Sequence, residues 1–413
     1  MLSGAGVVIA SCEWYLWQRR PSNTWCFTSE RDNMVNMTEE QQLKSGNSLR
    51  DVDRALAELR RGAPVVLRAP DGAAAVIQAA ETINNESLEA LTKLSGGEPS
   101  LLLTGRRAAA LGIEPRQDGD YEPVVAIALS GRDAERVVEL ADPTAWQGAP
   151  LRRRTLVEAP GELAFGAIDL TKLARLLPAA LLASVESDGL RGEGIPADLI
   201  GLYEISTTKV ADYRQSAARA LRRVAEARVP LKGAENTKVI AFRPDDGGSE
   251  HMALMVGTPD LEQPVLIRLH SECFTCDLLN SLRCDCGDQL RGAIEAIGEA
   301  GAGVVLYLTQ EGRGIGLVNK LRAYALQDAG ADTADANETL GFDADERVYL
   351  PAAEMLHQLG ISRVRLLTNN PEKVEGLERC GIRVAERVAH SFPSNSHNDF
   401  YLATKARRFG HMF

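Results

Sequence analysis

Hydrophobic positions in the first half of the chain follow two alternating periods. Val52, Leu56 and Leu59 are spaced as on one face of a helix, which predicts a helix over 48–61. Short apolar runs bounded by turn residues predict strands at 63–68, 101–103 and 124–129. Helices that alternate with strands in this way are typical of an α/β layer.

The second half repeats the alternation with longer elements. Strands are predicted at 238–243, 252–257, 265–270, 303–308 and 364–367. Helices are predicted at 208–226, 290–297, 317–329 and 351–359, and after Pro371. The pattern therefore predicts an α/β (α+β) protein of two domains, the C-terminal one a mixed sheet flanked by helices.

We divide the chain into an N-terminal extension at 1–47, a first domain at 48–207 and a second domain at 208–413. Glycine and proline in the stretch 189–196 give it the composition of a linker. At roughly 150 residues per domain, the length of 413 residues fits this division.

The extension differs in composition from the rest, because three of the four tryptophans fall within its first 25 positions. The run Ile9 to Cys12 resembles a lipoprotein cleavage box. A secretory signal requires a basic start, however, and no Lys or Arg precedes this run. We expect either a disordered tail or an upstream start, with the protein opening at Met34 or Met37.

Composition is that of an ordinary soluble protein, with 45% hydrophobic and 25% charged residues and a formal net charge of −11. A negative net charge argues against a nucleic-acid or membrane-surface partner. The most apolar run, Leu176 to Val185, is shorter than the roughly 18 residues that a membrane span needs. We expect a cytoplasmic protein that binds neither nucleic acid nor membrane.

Four of the seven cysteines lie within fourteen residues, at Cys273, Cys276, Cys284 and Cys286. Such clustering indicates a metal-binding loop in a reducing compartment rather than a disulfide framework. Three thiolates would hold a catalytic zinc with a fourth position open for water, whereas four would close a structural site. The spacing leaves both interpretations, and a redox pair, open. The acids and Arg283 beside the cysteines favour catalysis.

Two turns after predicted strands have features of anion sites. Glycines in Gln310 to Gly316 let backbone N–H groups approach an anion, and Arg313 adds a guanidinium fork. Thr368 to Lys373 has Pro371 at the start of a helix, whose N-terminus favours negative charge. Tight structural turns and ordinary caps are the alternative interpretations.

Asp345 and Arg347 lie two residues apart, so in an extended segment both side chains would point the same way. An acid beside an arginine suits a phosphate site, whereas a solvated charged turn would be the ordinary interpretation of this segment alone.

Together these motifs resemble GTP cyclohydrolase II, the enzyme that opens riboflavin biosynthesis. The resemblance covers about 220–413 and rests on family-specific segments: Arg268 to Cys273, Ser281 to Gly287, Gln310 to Gly316, Asn319 to Asp328 and Leu366 to Pro371. It implies zinc-dependent hydrolysis of GTP to 2,5-diamino-6-hydroxy-4-(5-phosphoribosylamino)pyrimidine, formate and pyrophosphate.

The resemblance also implies which residues carry the reaction. One zinc ion would be held by Cys273, Cys284 and Cys286. GTP would be bound by Arg268, Leu269, His270, Ser271, Glu272, Gln289, Glu311, Gly312, Arg313, Thr333, Thr368 and Lys373. The catalytic residues would be Asp345 as proton acceptor, Arg347 as the group that attacks the α-phosphate, and Tyr324 near the opening ring. Mg²⁺ on the triphosphate and a homodimer are further implications.

Two features separate the chain from the family pattern or limit what it implies. Cys276 stands where the family has glycine, and its thiol could compete for the open zinc position. A guanidinium stays protonated in proteins, so a phosphate clamp is the other role open to Arg347.

The first domain more weakly resembles dihydroxybutanone phosphate synthase, which is often fused to this enzyme. Ala55 to Arg68 has that domain's opening pattern, but Ala69 to Ala75 and Glu162 to Gly166 stand where its acidic loop and histidine motif would be. Without paired carboxylates there is neither a metal site nor an enolising base. We expect a degenerate domain with a structural or assembly role.

Three other functions stay open at this point. The protein could be a catalytically silent GTP-binding or regulatory protein whose zinc site is closed by Cys276. It could be a bifunctional enzyme that also makes dihydroxybutanone phosphate. It could release pyrophosphate from GTP without opening the ring.

Overall fold

The computed structural model describes residues 39–95, 98–113, 123–129, 133–146, 148, 156–157, 161–185, 201–245, 247–394, 398, 404, 406–408 and 410. The predicted linker at 189–196 and positions 1–38 of the predicted extension lie outside these residues. Positions 39–47 belong to the first helix.

The N-terminal half consists of short strands and helices. In chain order these are α1 (Glu39–Arg60), β1 (Val65–Arg68), β2 (Ala74–Ala79), α2 (Asn85–Ser95), β3 (Ser100–Thr104), α3 (Gly105–Ala110), β4 (Val124–Ala128), α4 (Ala134–Ala141), β5 (Leu156–Val157), α5 (Gly161–Leu173), β6 (Ala179–Val185), β7 (Tyr203–Ser206) and α6 (Thr207–Arg219). The strands form a sheet in the order β5–β4–β3–β6–β2–β1–β7, in which β1 and β7 are parallel.

Strands of this first sheet are apolar at nearly every position because both faces of the sheet are covered. In β3, Leu102 faces a core that α1 and α5 complete. Leu101 and Leu103 face a second core, which is completed by α2, α4 and residues of the C-terminal half, among them Leu340 and Phe342. One face of the first sheet is therefore part of the interface between the two halves.

The C-terminal half begins where the second sheet begins. Its elements are β8 (Leu221–Arg228), β9 (Thr237–Pro244), β10 (His251–Val256), β11 (Val265–Ser271), α7 (Phe274–Asp277), α8 (Cys286–Glu299), β12 (Gly303–Leu308), α9 (Leu317–Asp328), α10 (Thr333–Thr339), α11 (Leu350–Gln358), β13 (Arg363–Leu367), α12 (Pro371–Arg379) and β14 (Arg383–Val388). The sheet has the order β14–β13–β11–β12–β10–β9–β8. The fold class predicted from the sequence is confirmed: the sheet is mixed and flanked by helices.

One predicted element is wrong in part. The helix expected over 208–226 ends at Arg219, because 221–228 pairs antiparallel with β9 as an edge strand. The segment Leu221 to Arg228 is rich in helix formers, so here strand pairing overrides local propensity. Within the described residues, every helix is too short or too polar to cross a lipid bilayer.

Candidate active site

Three loops that follow β11, β12 and β13 meet at one edge of the second sheet. Because β11 is parallel to both neighbours, the carboxyl ends of the three strands point the same way, where open α/β sheets bind ligands. An open cleft of about 1070 Å³ lies there. Predicted site residues that line it are Arg268, His270, Ser271, Glu272, Cys273, Cys284, Cys286, Gln289, Glu311, Gly312, Arg313, Tyr324, Thr333, Arg347, Thr368 and Lys373.

Three thiol groups converge on one wall of the cleft. The sulfur atoms of Cys273, Cys284 and Cys286 lie within 4.8 Å of one another, and the first two residues are buried. Among the described residues this is the one group of His, Cys, Asp or Glu side chains close enough together to hold a metal ion. Three sulfur donors that border open space fit a tetrahedral zinc ion with one position left for another ligand.

The fourth clustered thiol, that of Cys276, is not a member of this mutually close set. Its Sγ lies 3.1 Å from Cys284 Sγ and donates to the carbonyl oxygens of Ser281 and Cys284, at 3.0 and 3.3 Å. Cys276 does not line the cleft, whereas the other three cysteines do. The cleft side of the cluster is therefore left to the three predicted ligands.

A buried ion pair joins the cysteine loop to the loop after β12. Lys320 Nζ lies 2.7 Å from Glu311 Oε1 and 3.0 Å from Cys273 Sγ. The second carboxylate oxygen of Glu311 accepts from the backbone N–H of Phe274 at 2.6 Å. Because the pair is buried and both partners make further hydrogen bonds, it holds the two loops in one arrangement.

Asp277 ties the cysteine loop to the sheet. Its carboxylate accepts from the backbone N–H of Cys273 and from the hydroxyl of Tyr307, both at 3.0 Å, and lies 3.0 Å from His270 Nε2. Burial lowers the pKa of His270, although the pairing with Asp277 opposes this shift. One carboxylate thus fixes both the first cysteine and a histidine of the cleft wall.

The loop after β12 turns through the left-handed region of backbone conformation. Gly312 and Gly314 have φ of 63° and 95°, and Arg313 between them has φ of 62°, which is strained for a residue with a side chain. A Cβ on Gly314 would lie 2.9 Å from the carbonyl oxygen of Glu346, so glycine is required for this close approach. The turn brings Arg313 to the cleft, as its glycine pattern predicts.

Several buried polar atoms on the cleft wall have no hydrogen-bond partner among the described residues: Arg268 Nε, His270 Nδ1 and Asn370 Nδ2. Leaving such a group unpaired costs about 1–3 kcal/mol. The rest of Arg268 is fixed by hydrogen bonds to Leu367 O, at 2.8 Å, and to the Gln289 side chain. Burial lowers the pKa of Arg268 to about 10, so it stays charged at neutral pH. These unpaired atoms fit a polar ligand.

Asp345 and Arg347 form a buried ion pair, although their segment is not a strand. Arg347 Nε lies 2.9 and 3.0 Å from the two oxygens of Asp345. Burial would raise the pKa of Asp345, but Arg347 and Arg313 outweigh it, so this pKa lies below its ordinary value. Burial would lower the pKa of Arg347, which Asp345 nevertheless raises well above its usual range. Arg347 lines the cleft, and Asp345 does not.

Tyr324 faces the cleft from α9. Its hydroxyl lies 3.4 Å from Thr275 Oγ1, and the Arg283 guanidinium lies over its ring, 4.4 Å from the centroid. Burial raises the pKa of Tyr324 to about 12, with a further contribution from Cys284. Tyr324 is therefore a protonated hydroxyl at neutral pH.

Glu272 also faces the cleft. Burial raises the pKa of Glu272, and the nearby Glu311 adds to this shift.

Not every predicted binding residue presents its side chain to the cleft. The side chain of Leu269 lies in the hydrophobic core of the second sheet, and its carbonyl oxygen accepts from Lys373 Nζ at 2.8 Å. The cleft also contains side chains that are missing from the prediction, among them Arg283, Lys320, Asn337 and Asn370. Arg283, Lys320 and Asn370 belong to the quoted motifs, which is the signal that could have found them. Asn337 carries no such signal.

Fold and site together define an α/β protein in which three cysteines, able to hold a metal ion, border a cleft lined by cationic side chains. Residues 222–389 match the family model described as GTP cyclohydrolase II. A GTP cyclohydrolase-2 of Azospirillum brasilense is 53% identical over 370 residues, which cover 89% of this chain and 94% of the relative. The chain therefore belongs to the GTP cyclohydrolase II family, which confirms the resemblance of the motifs.

Two other comparisons extend over most of the chain. A riboflavin biosynthesis protein RibBA of Salinispora tropica is 38% identical over 403 residues, covering 87% of this chain and 98% of the relative. Among solved structures, RibBX, a two domain 3,4-dihydroxy-2-butanone 4-phosphate synthase from A. baumannii, is matched over 83% of this chain and 99% of that chain. Its sequence identity is 17% and the TM-score is 0.31.

Proposed function

We propose that the protein hydrolyses GTP to 2,5-diamino-6-hydroxy-4-(5-phosphoribosylamino)pyrimidine, formate and pyrophosphate, as a step of riboflavin biosynthesis. The observation that carries the proposal is the convergence of three thiols and several cationic side chains on one cleft. Thiols suit a Lewis-acidic metal, and cations suit a triphosphate. The relative named GTP cyclohydrolase-2 that aligns with 89% of the chain supports the same activity.

We assign one zinc ion to Cys273, Cys284 and Cys286. When bound, zinc would supply a Lewis acid that makes water nucleophilic near neutral pH, as opening of the guanine imidazole ring at C8 requires. The chain itself holds the cluster in place, because Asp277 and Glu311 accept hydrogen bonds from the backbone of the cysteine loop. Cysteines clustered at metal-binding spacing are typical of a reducing compartment, which supports the cytoplasm as the place of action.

The triphosphate, with Mg²⁺, would be bound by Arg313 on the loop after β12, Arg347 before α11 and Lys373 in the first turn of α12. The ion pair with Asp345 keeps the Arg347 guanidinium protonated, which supports a phosphate clamp rather than a nucleophile. A clamp that strengthens as charge develops on the leaving pyrophosphate would lower the barrier to its release.

Base and ribose would be held by the remaining predicted residues. The backbone carbonyl of Leu269 would act through Lys373. Arg268 and His270 line the cleft, and each has one buried polar atom without a partner among the described residues, which supports a polar contact with the ligand. Further contacts would come from Ser271, Glu272, Gln289, Glu311, Gly312, Thr333 and Thr368.

Proton transfer would use two groups in opposite states. Asp345 has a lowered pKa, so it is an ionised acceptor at neutral pH. Tyr324 has a pKa of about 12, so it is a donor for the opening ring. A positioned acceptor and donor of this kind typically contribute about 10²–10⁴-fold in rate.

We also propose a homodimer. Large apolar side chains are exposed around the cysteine loop and on α9: Phe274, Leu278, Leu279, Leu282, Leu317, Val318 and Leu321. Contiguous exposed apolar surface is typical of a protein interface. Sedimentation equilibrium of the full chain is expected to give twice the chain mass of 44.7 kDa.

The proposed activity is tested by incubating the full chain, loaded with zinc, with GTP and Mg²⁺. Formate and pyrophosphate should appear in equal amounts, and a sample depleted of zinc should give no formate. Pyrophosphate without formate would identify the activity as phosphate release alone. GTP binding without either product would identify a silent GTP-binding protein.

A further inference from the structure

Glu346 connects the ion pair of the cleft to the N-terminal half. It lies between Asp345 and Arg347 in the chain, and its carboxylate is only 7% exposed. Lys172 Nζ, at the end of α5, lies 2.6 Å from Glu346 Oε1, and an Arg214 nitrogen lies 3.8 Å from Oε2. The backbone N–H of Glu346 donates to Arg313 O at 3.0 Å. One residue thus contacts both an N-terminal cation and the glycine loop.

Further N-terminal side chains hold the residues just before Glu346. Arg106 donates to Asp343 Oδ1 at 2.8 Å, and Lys172 lies 3.5 Å from the other oxygen of Asp343. Thr104 Oγ1 donates to Gly341 O at 2.8 Å. A Cβ on Gly341 would lie 2.8 Å from that hydroxyl, so the two halves approach as closely here as glycine allows.

Apolar contacts anchor the same segment in the first sheet. Phe342 is 1% exposed and Leu340 is fully buried, and both belong to the core that includes Leu101 and Leu103 of β3. Because a packed core resists displacement, residues 340–346 have the position that the first sheet gives them.

Charged side chains of both signs surround the Glu346 carboxylate. Acidic Asp169, Asp343 and Glu346 face basic Lys172 and Arg214, and burial raises the pKa of Asp169. Removing one partner of a buried pair leaves the other charge without compensation, so the segment would move towards a new arrangement.

We propose that the N-terminal domain is a positioning element of the GTP-hydrolysing site, in which Lys172 holds Glu346 so that Arg347, paired with Asp345, faces the reacting triphosphate. Lys172 is a positioning residue: it touches neither the cleft nor its ligand and acts through Glu346. The inference rests on the proposed function, because Asp345 and Arg347 are assigned to that reaction. It gives the N-terminal domain a part in the chemistry of the C-terminal one.

The test uses the full chain and the Lys172→Met variant, which keeps the aliphatic stem but removes the charge. A displacement of reacting groups by about 1 Å can cost on the order of 100-fold in rate. We expect kcat for formate release to fall on the order of 10- to 100-fold, while KM for GTP and the zinc content stay near those of the wild type. Lys172→Arg, which restores the charge, should recover part of the loss.

The matched control is Asp142→Asn, which removes another contact between the two halves. Asp142 Oδ2 pairs with Arg322 on α9 at 2.9 Å, with both partners mostly buried, but it does not touch residues 340–346. The Asp142→Asn variant should lower the free energy of unfolding about as much as Lys172→Met does, and it should leave kcat unchanged. Equal kcat losses in the two variants, or wild-type kcat in Lys172→Met, would overturn the inference.

A variant that does not fold and a wild type that releases no formate are distinguishable from a failed positioning role. If Lys172→Met does not fold, Glu346→Gln tests the same contact from the other side and should show the same split between kcat and KM. Wild-type kcat in that variant would overturn the inference. If the wild type itself releases no formate, the proposed function fails. If the wild type releases formate and the variants have the same kcat, the positioning role fails and the proposed function stands.

Discussion

The two halves of the molecule bury polar side chains in different ways. In the N-terminal half they are dispersed and serve the fold: Arg107 of α3, 2% exposed, donates to Leu140 O at 2.9 Å and to Thr339 O at 3.3 Å. At the edge of the second sheet they converge: Arg268, His270 and Asn370 all line the cleft, and each has a buried polar atom without a partner among the described residues. Burial of a charge alone therefore does not mark a site. Convergence on a cleft with unsatisfied groups does.

The largest loss of activity should follow the removal of one thiol from the cysteine cluster of the C-terminal half. Cys284→Ala should abolish formate release and zinc binding, because two sulfurs cannot hold the ion in its tetrahedral site. Zinc content per chain and formate release measure both effects. Cys380→Ala is the matched control, since Cys380 packs against the core of the same half and is not part of the cysteine cluster. Retained zinc in Cys284→Ala would contradict the assignment.

The ion pair of the cleft gives the next largest effect. Asp345→Asn should lower kcat for formate release by about 10²–10⁴-fold, because an amide cannot accept the proton. Zinc content should not change, since Asp345 is not one of the proposed zinc ligands. Steady-state kinetics on the zinc-loaded variant measures the effect. A variant with wild-type kcat would leave Asp345 as a structural partner of Arg347.

Leu101 and Leu102 of β3 lie on opposite faces of the first sheet, so their variants test the two faces separately. Leu101→Ala and Leu102→Ala each remove a fully buried side chain and should lower the free energy of unfolding by about 2–5 kcal/mol. Urea unfolding measures this loss. Leu101 packs in the core shared with Leu340 and Phe342, so its variant should also lower kcat, whereas Leu102→Ala should not. Equal kcat values in the two variants would remove the functional distinction between the faces.

Acid should destabilise the C-terminal half first, because all six histidines lie there. Burial lowers the pKa of His251 and of His390 to about 4, from an ordinary value of 6.5. Protonation therefore favours the unfolded chain. The stability that each neutral histidine contributes is complete above pH 6.5 and is lost as the pH falls towards 4.

Each of these histidines should contribute up to about 1.4 kcal/mol per pH unit to that loss. Urea unfolding at pH 7 and pH 5 measures it in the wild type. His251→Gln should narrow the difference between the two pH values, and an unchanged difference would show that His251 is not buried as a neutral group.

The smallest expected effect concerns the thiol that departs from the family pattern. Cys276→Ala should keep zinc and formate release near the wild-type values, because its thiol bonds backbone oxygens and does not line the cleft. The same two assays measure it. A clear gain of activity would instead mean that Cys276 closes the metal site in the wild type.

Short-range patterns in the sequence predicted three segments that line the cleft, and the resemblance to the family supplied the other predicted residues. Cysteine spacing, the glycine turn and the Thr368 to Lys373 turn each depend on neighbouring residues, and all of them reach the cleft. The overextended helix at 221–226 shows the limit of local propensity, because pairing with β9 decides that segment. The Lys172 contact was out of reach for the same reason: its partner, Glu346, lies 174 residues further along the chain.

X-ray absorption at the zinc edge of the full chain with GTP bound tests the central assignment most directly. The account predicts three sulfur neighbours at about 2.3 Å and one oxygen or nitrogen neighbour at about 2.0–2.2 Å. Four sulfur neighbours would mean that Cys276 completes a closed structural site, and ring opening at this cluster would be contradicted.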